Sequence, residues 1–333
     1  MIMNIIEVAK LAGVSKSTVS RYLNDGYVSS ENRFKIQEII ESTGYTPLRQ
    51  AKTLRTKITN LIGVIVPKIS TETASRVVEG ISNEVSKYGY DILIANANLS
   101  VDKEIEYLEI FKNNQVDGII FMATKLTEKH LRIMASIEFP IVVVAQKTEN
   151  FHCVYYDDYN ASKDMVKLLL NKGHTEIAFI GVTEEDISVG FERKRGYMDA
   201  LKEYGVSCKQ EFLKKGDFSM DSGYKLAAEL MGQTEKPKAI FAVTDNIAIG
   251  AMQYLTEIGY KIPEDISICS IGDSKISRVV TPKLTTAHYF YKTAGEKSAE
   301  IMMELLNKNI DYVKENVKNI KLGYRLEVRN SIK

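Results

Sequence analysis

The sequence predicts an α/β protein with an N-terminal helix-turn-helix head and a two-lobed body of doubly wound parallel sheets. Three observations carry this expectation. Residues 1–46 hold three short amphipathic segments separated by glycines; from Leu61 onward short apolar runs alternate with helix-length amphipathic segments. That alternation runs for about 270 residues, more than one such sheet usually holds, which favours two lobes with a cleft between them.

In IIEVAKLA, Ile5, Val8, Ala9 and Ala12 share one face at helical spacing, and Gly13 follows where a helix end favours a left-handed residue. Ser15 is placed to cap a second helix over KSTVSRYLN, in which Val19 and Leu23 turn inward while Lys16, Ser17, Ser20 and Arg21 turn outward. Two short helices joined by a glycine-containing turn make a helix-turn-helix, and the outward face of the second is rich in groups that donate to base edges or phosphates. A third helix, about Ser30 to Ser42, is expected to bury Phe34, Ile36, Ile39 and Ile40 and to end at Gly44. Residues 46–60, TPLRQAKTLRTKITN, contain four basic residues and no acid. Pro47 blocks continuation of the preceding helix, so the stretch reads as a linker.

The body begins with LIGVIVP, DILIANA, GIIFMA and IVVVA, and resumes with AFIGV, AIFAV and ISICSIG, each pair separated by enough residues for a helix. Buried strands alternating with helices form parallel sheets, whose ligands bind at the carboxyl ends of the strands. Lys68, Ser70 and Thr71 follow the first run, Gln146 and Lys147 the fourth, Thr244 and Asp245 follow AIFAV, and Arg193 lies beyond AFIGV. These are the forks, hydroxyls and amides that read the donors and acceptors of a sugar; Lys68, Lys147 and Arg193 could also meet a phosphate. The terminal run I-K-L-G-Y-R-L-E-V-R-N-S-I-K alternates apolar and polar residues like one final strand.

Charge is unevenly placed. The chain carries 44 Lys+Arg and 43 Asp+Glu, yet residues 1–60 hold nine basic and five acidic residues, a net +4, leaving −3 on the rest. A basic head on a slightly acidic body fits a protein that meets phosphate only through its head. No apolar run approaches the roughly 18 residues of a membrane span, and MIMNIIEVAK does not read as an export signal, so a cytoplasmic protein without a membrane partner is expected. Three scattered cysteines and four histidines without ligand spacing suggest no metal site, and no cofactor motif occurs. Phosphate-loop, G-x-G-x-x-G, H-E-x-x-H and G-x-S-x-G motifs are missing, which argues against an enzyme. The adjacent Asp157 and Asp158 would point to opposite faces of an extended segment, unsuited to shared acid–base chemistry.

The run V-A-K-L-A-G-V-S-K-S-T-V-S-R-Y-L-N, followed by V-S and G-Y-T-P, resembles the head of the LacI/GalR family of bacterial transcription regulators. The resemblance continues through V-D-G-I-I, K-G-H-T-E-I-A-F-I-G, R-K-R-G-Y-M-D-A-L, T-D-N-I-A-I-G-A-M, I-P-E-D-I-S-I and P-K-L-T-T. In V-Y-Y-D-D and G-V-T-E-E-D-I-S-V-G-F-E-R-K-R-G-Y it is nearest to the trehalose-repressor branch. It implies a body like the periplasmic binding proteins and divides the chain into a head at 1–46, a hinge at 47–60 and a body at 61–333. Lobe 1 would take about 61–160 and 290–318, and lobe 2 about 161–289 and 319–333. It also implies a homodimer that represses a carbohydrate operon from a pseudo-palindromic operator. Lys16, Ser17 and Arg21 would read bases, Ser15, Ser20 and Asn24 contact phosphates, and Ala51 and Leu54 serve a hinge that wedges into the minor groove. Lys68, Ser70, Gln146, Arg193, Asp245, Asp273, Tyr289 and Tyr291 would contact a small sugar or sugar phosphate, trehalose or trehalose 6-phosphate first and a sucrose-type sugar next. The alternative within the family is a global catabolite regulator that answers to a phosphorylated carrier protein. Two departures stand out: Thr71-Glu72-Thr73-Ala74 replaces the family's aromatic N-P-F-F, and S-I-G-D-S shifts the usual ligand acid relative to its glycine.

Overall fold

The computed structural model describes residues 3–45, 58–113, 116–308 and 317–333. Two compact units divide near residue 60, Met1–Thr59 and Asn60–Lys333.

The first unit holds helices α1 (Ile5–Leu11), α2 (Lys16–Leu23) and α3 (Ser30–Thr43). Asn4 and Glu7 form a reciprocal capping box at the start of α1, Ser15 caps α2 through the Thr18 amide, and Gly44 ends α3 in the left-handed conformation. Val8, Ala9, Ala12, Val19, Val28, Ile36 and Tyr45 make its core. Phe34 was expected inside, yet it is 69% exposed. In α3 the buried stripe runs through Ile36, Ile39 and Ile40, and a three-helix unit this small has no second core face for Phe34 to enter.

The second unit contains two six-stranded sheets of the same order. In lobe 1, β1 (Leu61–Val66), β2 (Asp91–Asn96), β3 (Gly118–Met122), β4 (Ile141–Val144) and β5 (His152–Tyr156) are parallel, in the order β2-β1-β3-β4-β5. In lobe 2 the equivalent strands are β6 (Ile177–Gly181), β7 (Leu213–Lys215), β8 (Ala239–Ala242), β9 (Ser267–Gly272) and β10 (Thr285–Tyr289), in the order β7-β6-β8-β9-β10. Each sheet reverses its winding at its first strand, and ligands of doubly wound folds settle beyond the strand ends at that reversal. The strands are apolar on both faces because helices cover both: in β3, Ile119 and Phe121 face one side while Ile120 and Met122 face the other.

Helices α4 (Glu72–Val85), α5 (Val101–Asn113) and α6 (Glu128–Ala135) belong to lobe 1, joined there by α11 (Tyr291–Lys308). Helices α7 (Asp158–Asn171), α8 (Arg193–Glu203), α9 (Met220–Met231) and α10 (Asp245–Glu257) pack in pairs, α7 on α8 and α9 on α10, against the lobe 2 sheet. A short π-helix, Ile187–Glu192, leads directly into α8. Gly80 of α4 and Gly295 of α11 let those helices touch backbone to backbone. A Cβ at Gly80 would lie 2.1 Å from the Lys292 carbonyl oxygen, and one at Gly295 would lie 2.0 Å from that of Val77.

The C-terminal run is two strands, not the single strand its alternation suggests. β11 (Asn319–Leu322) extends the lobe 1 sheet parallel to β5, and β12 (Tyr324–Glu327) runs antiparallel to β10 in lobe 2, with Gly323 between them. The lobe boundary expected before residue 319 therefore falls at Gly323, and the one expected near 160 falls between Tyr156 and α7. Period-2 alternation registers which face is buried and is blind to which sheet the strand joins. The chain thus crosses between lobes three times, after β5, after β10 and after β11. No helix among the described residues is long and apolar enough to cross a membrane.

Candidate functional site

The structure puts the expected DNA-reading residues on one face of α2. Lys16, Ser17 and Arg21 are exposed and Ser20 is half-buried, while Val19 on the opposite face is fully buried. Ser15 both caps the helix and exchanges hydroxyl hydrogen bonds with Ser17 at 2.7 Å and Thr18 at 2.8 Å. Arg21 is tied down only weakly, its Nε 3.4 Å from the Ser17 carbonyl, so its fork is free to turn toward a base edge. Asn24 closes the helix and donates to the Ser20 carbonyl at 2.6 Å. Across the turn, the Arg33 guanidinium lies over the Tyr22 ring at 5.3 Å, tying α3 to α2. Ala51 and Leu54 lie outside the described residues.

In the body, the residues expected at the strand ends separate into three groups. Arg193 is at the centre of the first, only 4% exposed. Its Nε and Nη2 both donate to Asp158 Oδ1 at 2.7 Å, its Nη1 donates to the Val243 carbonyl, and its guanidinium lies over the Tyr289 ring at 5.3 Å. Tyr289 donates to the same Asp158 oxygen at 3.0 Å. The Tyr289 ring stacks on Tyr156 with centroids 4.9 Å apart, and Tyr291 meets both rings edge-on. Three tyrosines from the first and second crossovers thus wall a buried ion pair. Burial pushes the Asp158 carboxyl up against the pull of Arg193. Burial would likewise lower Arg193, but the Asp158 charge outweighs it and keeps the fork protonated.

The second group is a clasp between the lobes. Gln146 uses its whole amide: Nε2 donates to the Thr124 carbonyl at 2.8 Å and to Asp186 Oδ1 at 3.2 Å, and Oε1 accepts from Ser188 at 3.3 Å. Ser188 also donates to the Ala145 carbonyl, and Lys125 pairs with Glu185 at 2.5 Å. Asp186, raised by burial, caps the π-helix through the Val189 amide. On the lobe 1 side the clasp is anchored deep inside. Thr124 donates to Glu104, which pairs with His130 at 3.2 Å, both fully buried. Gln146, expected to touch effector, has its donors and acceptor engaged in holding the lobes.

The third group comprises the acids of lobe 2. Asp245 accepts from Ser270, Thr286 and the Ser274 amide. Asp273 accepts from Arg278 and Arg329 and meets His288 Nδ1 at 2.8 Å. Burial would raise Asp273, but those hydrogen bonds outweigh it and hold the carboxyl at about 2. Both expected effector acids are therefore occupied within their own lobe. The shift in S-I-G-D-S is the physical reason for Asp273: at φ 52 it turns its side chain toward Arg278 and Arg329. Across the mouth, Glu72 accepts from the Lys275 amide and Arg76 reaches the Asp273 carbonyl. Lys68 and Ser70 follow β1 but are exposed, outside the buried cluster.

Sequence reasoning missed the roles of Tyr156, Asp158, Asp186 and Ser188. Asp157 and Asp158 do diverge, Asp157 toward Lys321 and Asn160 and Asp158 toward Arg193. The signal for a second use of Asp158 was its place at the end of an apolar run, at the mouth of a crossover. A separate concavity of about 740 Å³, lined by residues including Lys172, His174 and Lys238, opens at the amino-terminal ends of the lobe 2 strands, away from the Arg193 cluster.

Comparison with known proteins agrees with both parts. The family described as bacterial regulatory proteins, lacI family, matches residues 4–47, and that described as periplasmic binding proteins and sugar binding domain of LacI family matches residues 59–322. The sucrose operon repressor of Staphylococcus xylosus is 34% identical over 309 residues, covering 93% of this chain and 94% of that protein. Catabolite control protein A of Priestia megaterium is 33% identical over 336 residues and covers all of both. The lac repressor dimer, solved with operator and the anti-inducer ONPF, shares the fold at a TM-score of 0.89 and 22% identity over 99% of each chain. A family model over more than half of the chain and relatives above 30% identity along nearly all of it settle the family: the chain belongs to the LacI family of bacterial transcription regulators, DNA-binding proteins and not enzymes.

Proposed function

We propose that the protein is the dimeric repressor of a carbohydrate-utilisation operon, released from its operator by a small disaccharide or disaccharide phosphate bound between the lobes. The observation that carries this reading is the Arg193–Asp158 pair, enclosed by Tyr156, Tyr289 and Tyr291 at the carboxyl ends of two sheets of the same winding. Tyrosine faces stack on the apolar faces of sugar rings, and an arginine–carboxylate pair reads hydroxyls as donor and acceptor together. Trehalose or trehalose 6-phosphate is favoured by the V-Y-Y-D-D and E-R-K-R-G-Y segments, and a sucrose-type sugar by the relative named as a sucrose operon repressor.

Lys16, Ser17 and Arg21 read each half-site, with Ser15, Ser20 and Asn24 on phosphates. The dimer is supported by β2, the edge strand of lobe 1, where Leu93 is 47% and Ile94 38% exposed. Sugar in the cleft rearranges the lobes through the clasp at Gln146, Asp186 and Ser188, and so changes how the dimer presents its two heads. A preference of a few kcal/mol for one lobe arrangement suffices to empty an operator. Full-length similarity to a protein named for catabolite control favours a second reading, a global catabolite regulator, which would answer to a phosphorylated carrier protein. A thermal-shift panel of trehalose, trehalose 6-phosphate, sucrose, sucrose 6-phosphate and glucose 6-phosphate separates them. At 100 times its Kd, a sugar that binds only the folded body adds about 2.7 kcal/mol and raises the melting temperature by several degrees. One of the disaccharides is expected to do so; a flat response to all five turns the assignment to the protein-governed reading.

A further inference from the structure

We infer that the hydroxyls of the effector are read by Tyr156 and Asp158, the groups at the first crossover whose hydrogen-bonding capacity the fold leaves open. The inference rests on the sugar-effector reading and sharpens it, because it moves the recognition acid away from Asp273 and Asp245.

Both carboxylate oxygens of Asp245 and both of Asp273 already accept hydrogen bonds within lobe 2, and Gln146 is consumed by the clasp. Asp158 differs. Its Oδ1 takes Arg193 and Tyr289 together, whereas its Oδ2 accepts no hydrogen bond among the described residues. Tyr156 is 6% exposed, its ring is fixed by Tyr289 and Tyr291, and its hydroxyl has no partner among the described residues. Tyr156 stands two residues before Asp158, and its ring stacks at 4.9 Å on Tyr289, whose hydroxyl donates to Asp158 at 3.0 Å. A third open group, the Thr244 hydroxyl, occupies the cap position of α10 without making a cap bond, one residue after the carbonyl that Arg193 holds.

An unpartnered buried hydroxyl destabilises a fold, and phenylalanine would fill the same stack without that cost. A tyrosine whose oxygen does nothing for the fold, beside a half-used carboxylate and a fixed arginine, is a donor–acceptor set arranged for something that arrives. A polyol supplies what these atoms lack: one hydroxyl can donate to Asp158 Oδ2 while another accepts from Tyr156. Both groups sit on the segment joining β5 to α7, so binding would register at a crossover between the lobes.

Tyr156→Phe in the full chain isolates the hydroxyl from the ring. Without sugar its melting temperature is expected to equal or exceed that of the wild type. Titration calorimetry with trehalose, trehalose 6-phosphate, sucrose and sucrose 6-phosphate should show affinity about ten-fold or more weaker for whichever sugar binds the wild type. Asp158→Asn should weaken it at least as much where the variant folds. Wild-type affinity in Tyr156→Phe overturns the inference while leaving the sugar reading intact. Absence of binding by the wild type to all four sugars overturns both.

Discussion

Replacing Arg193 with alanine should unfold the protein more readily and make it deaf to sugar. The fork is 4% exposed, and the Asp158 carboxylate beside it is equally enclosed. Removing one partner of a buried ion pair leaves the other charge uncompensated, at a cost of about 3–5 kcal/mol. The Val243 carbonyl and the face of Tyr289 lose their contacts too. A urea unfolding midpoint measures the first effect. Loss of the sugar-induced thermal shift measures the second, provided the variant is compared at a temperature where both proteins are folded. Arg193→Lys separates charge from geometry. An ammonium keeps a positive charge near Asp158 but cannot span Asp158 and Val243 as a planar fork does, so stability should return in part and sugar response hardly at all. An Arg193→Ala protein with wild-type sugar response would place the effector elsewhere.

The second large effect is expected in the head. Arg21→Ala removes an exposed side chain held by one long hydrogen bond, so the melting behaviour should hardly change. Operator affinity should fall steeply. A bidentate arginine–base contact is worth about 1–3 kcal/mol, and a dimer on a pseudo-palindrome makes it twice, so a loss of about 2–6 kcal/mol is expected. At the lower limit that is a rise of about 30-fold in Kd. The measurement is fluorescence anisotropy on a duplex selected from a random pool by the wild type, at one fixed salt concentration, since phosphate contacts make all such affinities salt-dependent. Equal affinity and selectivity in Arg21→Ala would remove α2 as the reading helix.

Much of this was legible in the sequence because it depends on local rules. Ser15, Gly13 and Gly44 punctuate the head as capping chemistry requires, and continuous apolar runs such as IVVVA announce strands covered on both faces. Arg193 was also legible, by its position in E-R-K-R-G-Y. What escaped depended on contacts far apart in sequence. Phe34 was assigned inward by periodicity, although only three dimensions show that the head has one core. The terminal run alternated throughout, and nothing local marked Gly323 as a change of sheet. Gln146 and Asp245 have the chemistry to bind a sugar, and the family resemblance adds Asp273. Whether they are available depends on Ser188, Thr286 and Arg329, which lie 42, 41 and 56 residues away. A sequence shows which side chains have hydrogen-bonding capacity, whereas the fold decides how much of it remains unspent at Tyr156 and Asp158.

On the proposed function, one chain couples sugar in its body to DNA on its head. The most direct test is to hold the wild-type protein at half-saturation of its selected duplex and to titrate in the disaccharide that stabilises it most. The account predicts that anisotropy falls to that of free DNA, with a midpoint near the calorimetric Kd of the sugar. A duplex that stays bound, or binds more tightly, at saturating sugar would contradict it.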